Sequence, residues 1–406
     1  MDISLGIEGS ALNLTNLKLP DGREGAIFIR NGVIVSGGES PVRGKSDAAI
    51  CTIDCDGALA LPGLVDGHMH LDKTLFGTSW FSQQAGPTRQ SRIDTEKRLR
   101  AELPPVSVRA RNLVEACIAQ GTTAIRTHVD IDPENGLSAL RDLCVVRDEF
   151  LERIDIQIVA FPQSGILCCP GVAELLSAAM TAGADLLGGI DPIAMDGGAD
   201  GQLDVIFEIA AAHDAGVDIH LHDSGADGLR EIMGVTARAS ALGAPGRVTI
   251  SHGFALGAAG KHDFETAAAA MADAGVSLAT HGGGASVAPP VKALRERGVA
   301  VFAGSDNIRD LWSPYGNGDM LERAMLLGWR CGFRNDEDLA IALDCASGAG
   351  ARALGAPRHG LAPGDPADLF TIKAECSAEA VVSHPQRELV IKRGRIVAAK
   401  GVLIEN

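Results

Sequence analysis

The histidines of this chain are spaced as metal ligands are. His68 and His70 close the run Leu61-Pro62-Gly63-Leu64-Val65-Asp66-Gly67-His68-Met69-His70, with one residue between them. Side chains alternate along a strand, so both imidazoles share a face and can share one cation. Imidazole suits Zn(II) and Fe(II). An isolated His-x-His is often only a polar strand end, so the weight falls on its companions. His128, His220, His222, His252 and His281 also stand at or just past short β-rich runs, which puts seven of the eleven histidines in such places. His213, His262, His359 and His384 fall elsewhere and read as structural.

A repeated unit must position these groups. Helix-period segments end in glycine and β-rich runs follow: Gly121 before Thr122–His128, Gly183 before Asp185–Leu187, Gly216 before Val217–His220, Gly275 before Val276–Leu278, and Gly298 before Val299–Phe302. Glycine past a helix end takes the left-handed conformation and turns the chain into the next strand. Adding Leu61–Leu64, Ile156–Phe161 and Val248–Ser251 gives eight strands. Helix and strand alternating at this spacing predict an α/β fold, a closed (β/α)8 TIM-type barrel. An open doubly wound sheet competes, but no Gly-x-Gly-x-x-Gly opens a helix after the early strands.

Chemistry in such a barrel gathers at the C-terminal ends of the strands. Those ends carry His68 and His70, His128, Pro162-Gln163, Asp191, His220 through Asp223, Ser251-His252, His281, and Gly304 through Asn307. The best ligand set is His68, His70, His220 and Asp306, three neutral nitrogens and one carboxylate with a position left for water. A second ion would want a bridging anion, and no lysine lies between Lys97 and Lys261 to supply a carboxylated one. One divalent ion is the economical count, with a carboxylate bridge left open. A bound cation brings the pKa of water from 15.7 to about 7. Asp223, three residues after His220, is placed to take that proton and pass it to substrate and leaving group. His252 and Asp306 would orient the hydroxide. Gln163 offers an acceptor and donors to an amide-like or amidine-like ring edge. Trp312 would wall the pocket by stacking, although aromatics are more often core.

At 406 residues the chain suggests a large domain with a smaller one. Short apolar runs over residues 11–60, with a hairpin signal at Asn31-Gly32, resemble in texture the runs from Ala367 to Val397. We therefore expect a discontinuous β domain from residues 1–60 and 356–406 around a barrel at 61–355. A net charge of −16 argues against nucleic acid and anionic membrane as partners and favours a small neutral or cationic substrate. The start Met1 through Gly6 lacks a secretory pattern, and nine scattered cysteines read as reduced thiols, so the cytoplasm is expected. Cys168-Cys169 lacks metal or redox spacing and is assigned to the core.

Several segments together resemble the cytosine deaminase branch of the amidohydrolase superfamily: Pro62–Lys73, Arg126-Thr127-His128-Val129-Asp130, Ile158–Ile166 with Ala160-Phe161-Pro162-Gln163, Ser251-His252 and Gly304–Gly316. His-x-His alone marks only the superfamily; the second and third segments are far more specific. The resemblance implies a mononuclear Zn(II) or Fe(II) site at His68, His70, His220 and Asp306, His252 beside the hydroxide, Gln163 reading a heterocyclic substrate, and a homo-oligomer. Two departures stand out. That branch has His-x-x-Glu after strand five, where this chain has His220-Leu221-His222-Asp223, and Asn307 replaces a common second aspartate. His222 becomes a further substrate contact or a substitute ligand, and Asn307 a substrate contact. The expected reaction is hydrolytic deamination of a cytosine-like nitrogen heterocycle by metal-hydroxide attack. Hydrolysis of an N-alkylamino-triazine or a cyclic amide on the same site is the alternative, and a non-catalytic barrel scaffold is the alternative of another class.

Overall fold

The computed structural model describes residues 11–37, 50–83, 86–243, 245–284 and 286–404, so parts of the expected N-terminal β piece, residues 1–10 and 38–49, lie outside the described residues. Four strands open the chain: β1 (Ala11–Lys18), β2 (Glu24–Arg30), β3 (Val33–Gly37) and β4 (Ile50–Pro62). Asn31 and Gly32 both have positive φ, 53° and 75°, as the tight hairpin between β2 and β3 requires.

Eight parallel strands follow: β5 (Leu64–Met69), β6 (Thr122–Asp130), β7 (Asp155–Phe161), β8 (Leu186–Ile190), β9 (Gly216–Leu221), β10 (Val248–His252), β11 (Ser277–Thr280) and β12 (Val301–Ala303). Each pairs with its neighbours in sequence order, and the ring closes where Met69 bridges Asp306 and the Asp306 amide donates to the His68 carbonyl at 2.8 Å. The molecule therefore has the expected (β/α)8 barrel. Strands covered on both faces read as apolar runs, and Ile125, Ile158, Ile219, Ile250, Leu278 and Val301 are all buried. Helix α1 (Arg89–Leu99) is an insertion between β5 and the first barrel helix, α2 (Val106–Ala119). Thr88 and Ser91 cap α1 reciprocally, and its buried side chains, Ile93, Glu96 and Leu99, recur every three residues on one stripe.

The chain ends in β13 (Leu369–Ile372), β14 (Arg387–Lys392), β15 (Arg395–Ala399) and β16 (Val402–Leu403). These join β1 to β4 in one sheet of order β16-β15-β14-β13-β4-β1-β2-β3, so the β domain is built from both ends of the chain. Its centre is the antiparallel pair β4 and β13, with Leu369 opposite Pro62 and Thr371 opposite Ala60. Leu61 and Pro62 thus belong to this sheet and not to the first barrel strand, which starts at Leu64. Gly63 makes the transfer, and a Cβ there would lie 2.3 Å from Thr123 Oγ1, so no larger residue fits. The assignment of Cys168-Cys169 to the core is corrected: Cys168 is exposed and Cys169 half-buried. They occupy the turns after β7, where the chain runs over the surface.

Candidate active site

His68 is the penultimate residue of β5, His70 lies just past it, His220 is in β9, and Asp306 follows β12. Strand alternation and barrel closure bring them together. His220 Nε2 is 3.3 Å from His70 Nε2, His70 Nε2 is 3.5 Å from Asp306 Oδ1, and His68 Nε2 is 3.6 Å from the same oxygen. Four ligands each about 2.1 Å from one ion in a tetrahedron stand about 3.4 Å apart, which is the spacing of these three contacts; the ligand atoms that come together as a group of four are those of His68, His70, His128 and His220, while Asp306 groups with His68 and His252. Three residues here have left-handed backbone, with positive φ at Asp191 (35°), His252 (72°) and Asp306 (60°).

Proton positions at His68 follow from its neighbours. Its Nδ1 is 2.8 Å from Ser251 Oγ, and that hydroxyl lies 2.6 Å from Asp218 Oδ1. Burial favours protonation of Asp218, but His128 and Arg126 outweigh it and hold the carboxyl below its usual range, so it only accepts. Ser251 then gives its hydrogen to Asp218 and accepts one from His68 Nδ1. His68 Nε2 is left as a bare lone pair, buried and without a hydrogen-bond partner, aimed at the other ligands. Burial likewise lowers His70 to about 3 and His220 well below the ordinary imidazole value, so both are neutral, the form in which imidazole can bind a metal.

The remaining strand-end histidines surround this set. His128 groups with His68, His70 and His220, its Nε2 3.5 Å from Asp218 Oδ1, and neither ring nitrogen has a hydrogen-bond partner. His252 groups with His68 and Asp306, and His281 Nε2 lies 3.8 Å from Asp306 Oδ2. His222 stacks on His252 at 4.3 Å between ring centroids.

A cavity opens beside the ligands. His70, His220 and Asp306 line it together with Gln163, His222, Asn307 and Trp312, which are the four residues expected to bind substrate, and with Lys73, Phe161 and Ile190. His222 Nδ1 donates to Asp191 Oδ2 at 2.7 Å. Arg89 joins Asp191 Oδ2 at 2.7 Å and Asp223 Oδ1 at 3.2 Å. The Asp223 carboxylate is therefore engaged with Arg89, and Asp223 is not among the residues lining the cavity.

On the opposite wall sequence reasoning reached Gln163 and Trp312 but gave no role to Lys73 or Glu96. Lys73 donates to Asp130 at 2.6 Å, to Gln163 Oε1 at 2.7 Å and to Glu96 at 3.1 Å. Glu96 also accepts from Trp312 Nε1 at 2.6 Å and Gln163 Nε2 at 3.2 Å. Burial disfavours the Lys73 charge, yet Asp130, Glu96 and Asp72 together raise its pKa. Asn307 donates to the buried Asp310 at 2.5 Å, and burial lifts that carboxyl to about 7. Lys73 ends the Pro62–Lys73 segment and was open to notice there; Glu96 sits in a polar helix with no motif around it.

A parallel barrel whose strand ends converge imidazoles and a carboxylate on one cation-sized point defines a metal-dependent hydrolase of the TIM-barrel class. The chain belongs to the Amidohydrolase family, whose model matches residues 51–398. It is 31% identical over 361 residues to the N-isopropylammelide isopropyl amidohydrolase of Pseudomonas sp. (strain ADP), covering 87% of this chain and 89% of that one. The structure of N-isopropylammelide isopropylaminohydrolase from Burkholderia multivorans superposes with TM-score 0.93 at 41% identity, covering 97% of this chain and all of that one. That of 5-methylcytosine deaminase from Klebsiella pneumoniae, bound to 5-fluorocytosine, gives TM-score 0.83 at 28% identity, covering 97% of this chain and 99% of that one. The protein is thus an enzyme acting on non-peptide C–N bonds, of the cytosine deaminase-like branch, which sets aside the scaffold alternative. Among the described residues no helix is long and apolar enough to cross a membrane.

Proposed function

We propose that the enzyme hydrolyses an exocyclic amine from a small nitrogen heterocycle, cytosine-like or triazine-like. The observation that carries this reading is the cavity itself: two amide side chains and an indole line it together with His70, His220 and Asp306, and Phe161 and Ile190 line it too. A Zn(II) or Fe(II) ion held by His68, His70, His220 and Asp306 would supply a Lewis acid that makes water nucleophilic near neutral pH. The chain's own residues do the rest. Trp312 flanks the ring, Gln163 reads its lactam or amidine edge, and Asn307 contacts its substituents. His252 and Asp306 orient the attacking water towards the amino-bearing carbon.

For the proton we favour His222 over Asp223, since His222 faces the cavity and its Nδ1 is anchored on buried Asp191. Asp223 then acts through Arg89, which spans it and Asp191. An unsubstituted amino group leaves as ammonia, which is deamination; loss of an alkylamine is the second reading, supported by the two N-isopropylammelide hydrolases among the relatives. A division of the chain at Gly63, three residues later than the sequence suggested, and at residue 355, and assembly as a cytoplasmic homo-oligomer, are part of the same proposal.

The test is release of ammonia and alkylamine by metal-replete protein from a panel of aminopyrimidines, aminotriazines, their N-alkyl derivatives and pterins. One equivalent of amine per oxo product is expected. Hydrolysis of ring amides alone, with no amine released, would overturn the reading.

A further inference from the structure

We infer that Glu96 is a positioning residue that locks the Gln163 amide in one of its two orientations and thereby sets which way round the ring is read. The inference rests on the reading above that this cavity holds the heterocycle. Glu96 itself does not line the cavity; it stands behind three residues that do, Lys73, Gln163 and Trp312.

A carboxylate can only accept hydrogen bonds and an ammonium can only donate them. Gln163 sits between the two, its Oε1 2.7 Å from Lys73 Nζ and its Nε2 3.2 Å from Glu96 Oε2. Turning the amide over would set N–H against N–H and oxygen against oxygen at once. An orientation that ordinarily has to be assigned is here dictated by chemistry. Burial works against a charge on Glu96, but Lys73, Trp312 and Gln163 outweigh it, so the carboxylate stays ionised. What Gln163 still offers the cavity is one N–H beside one lone pair, the complement of a lactam or amidine edge in a single sense. The three hydrogens of Lys73 are committed to Asp130, Gln163 and Glu96, so it orders the wall and leaves the ring to Gln163. Through Trp312 Nε1 the same carboxylate also fixes the tilt of the indole.

The experiment is Glu96→Gln, nearly the same shape but able to donate, assayed with a ring that the wild type hydrolyses. We expect KM to rise at least about tenfold and kcat to change less than about threefold, the signature of lost ring recognition. Tryptophan emission should shift on Glu96→Gln in the wild-type background and not in Trp312→Phe, since Trp80 and Trp329 are exposed. A KM within about twofold of wild type would overturn the role. Should Glu96→Gln fail to fold, Glu96→Asp keeps the charge and shortens the reach; there a raised KM supports the role and an unchanged KM overturns it. If the wild type hydrolyses no ring in the panel, the functional reading falls and takes this one with it. If it does and KM is unmoved, only the positioning role falls.

Discussion

The two walls of the cavity are built on opposite rules. On the histidine side buried polar atoms are left without partners: His68 Nε2, His70 Nδ1, His220 Nδ1, and both ring nitrogens of His128 and His252. On the lysine side Lys73, Gln163 and Trp312 are all tied into one network through Glu96. A buried polar atom without a partner costs about 1–3 kcal/mol, and of these atoms His68 Nε2 is the one that an ion on the proposed ligand set would satisfy. In the second wall, Lys73, Glu96, Gln163 and the indole of Trp312 are paired before anything arrives, and only Asp72 Oδ1 and Asp130 Oδ1 lack a partner. On the proposed function, one wall would receive an ion and the other would hold a fixed outline for a ring.

The largest effect should come from breaking the receiving wall. His220→Ala is expected to lower kcat/KM by about 10³-fold or more and to leave less than one equivalent of metal by elemental analysis. Full metal occupancy in that variant would show that another set holds the ion. Breaking the paired wall should instead cost folding. Lys73→Met strands Asp72, Glu96 and Asp130 around one lost cation, and urea unfolding should show a loss of about 3–5 kcal/mol. Equal stability losses in the two variants would erase the contrast.

Smaller effects sharpen it. His222→Gln is expected to cut kcat by about 10²-fold, and Asp223→Asn by less, in steady-state assays. The reverse order would return the proton to Asp223. Ser251→Ala removes the relay that fixes the His68 tautomer, and competitive chelation should show metal affinity about tenfold weaker with kcat at saturating metal little changed.

The receiving wall was legible in the sequence because its residues obey a period. His68 and His70 alternate within one strand, and His220, His252 and Asp306 fall where successive β-rich runs stop, so the barrel rule alone collects them. The paired wall obeys none. Glu96 lies in an inserted helix whose apolar content is too low to show a stripe, and its partners Lys73, Gln163 and Trp312 come from three separate stretches. Asp218 was hidden for another reason: it is one buried polar residue inside a strand, and only the closed barrel shows that it stands with Ser251 behind His68. The first strand was misplaced at Leu61 because β4 and β5 form one apolar run broken only at Gly63.

That continuity of β4 into the barrel has a cost during synthesis. The partner of β4 in the middle of the terminal sheet is β13, more than three hundred residues later, so the strand feeding directly into the barrel keeps a bare edge until residue 372 has been made. Pairings this remote form slowly and leave unprotected edges open to other chains. Ribosome-bound or truncated forms of this protein are therefore the aggregation-prone ones, and the closing segment Leu369–Ile372 is the one whose loss would harm yield before it touched chemistry.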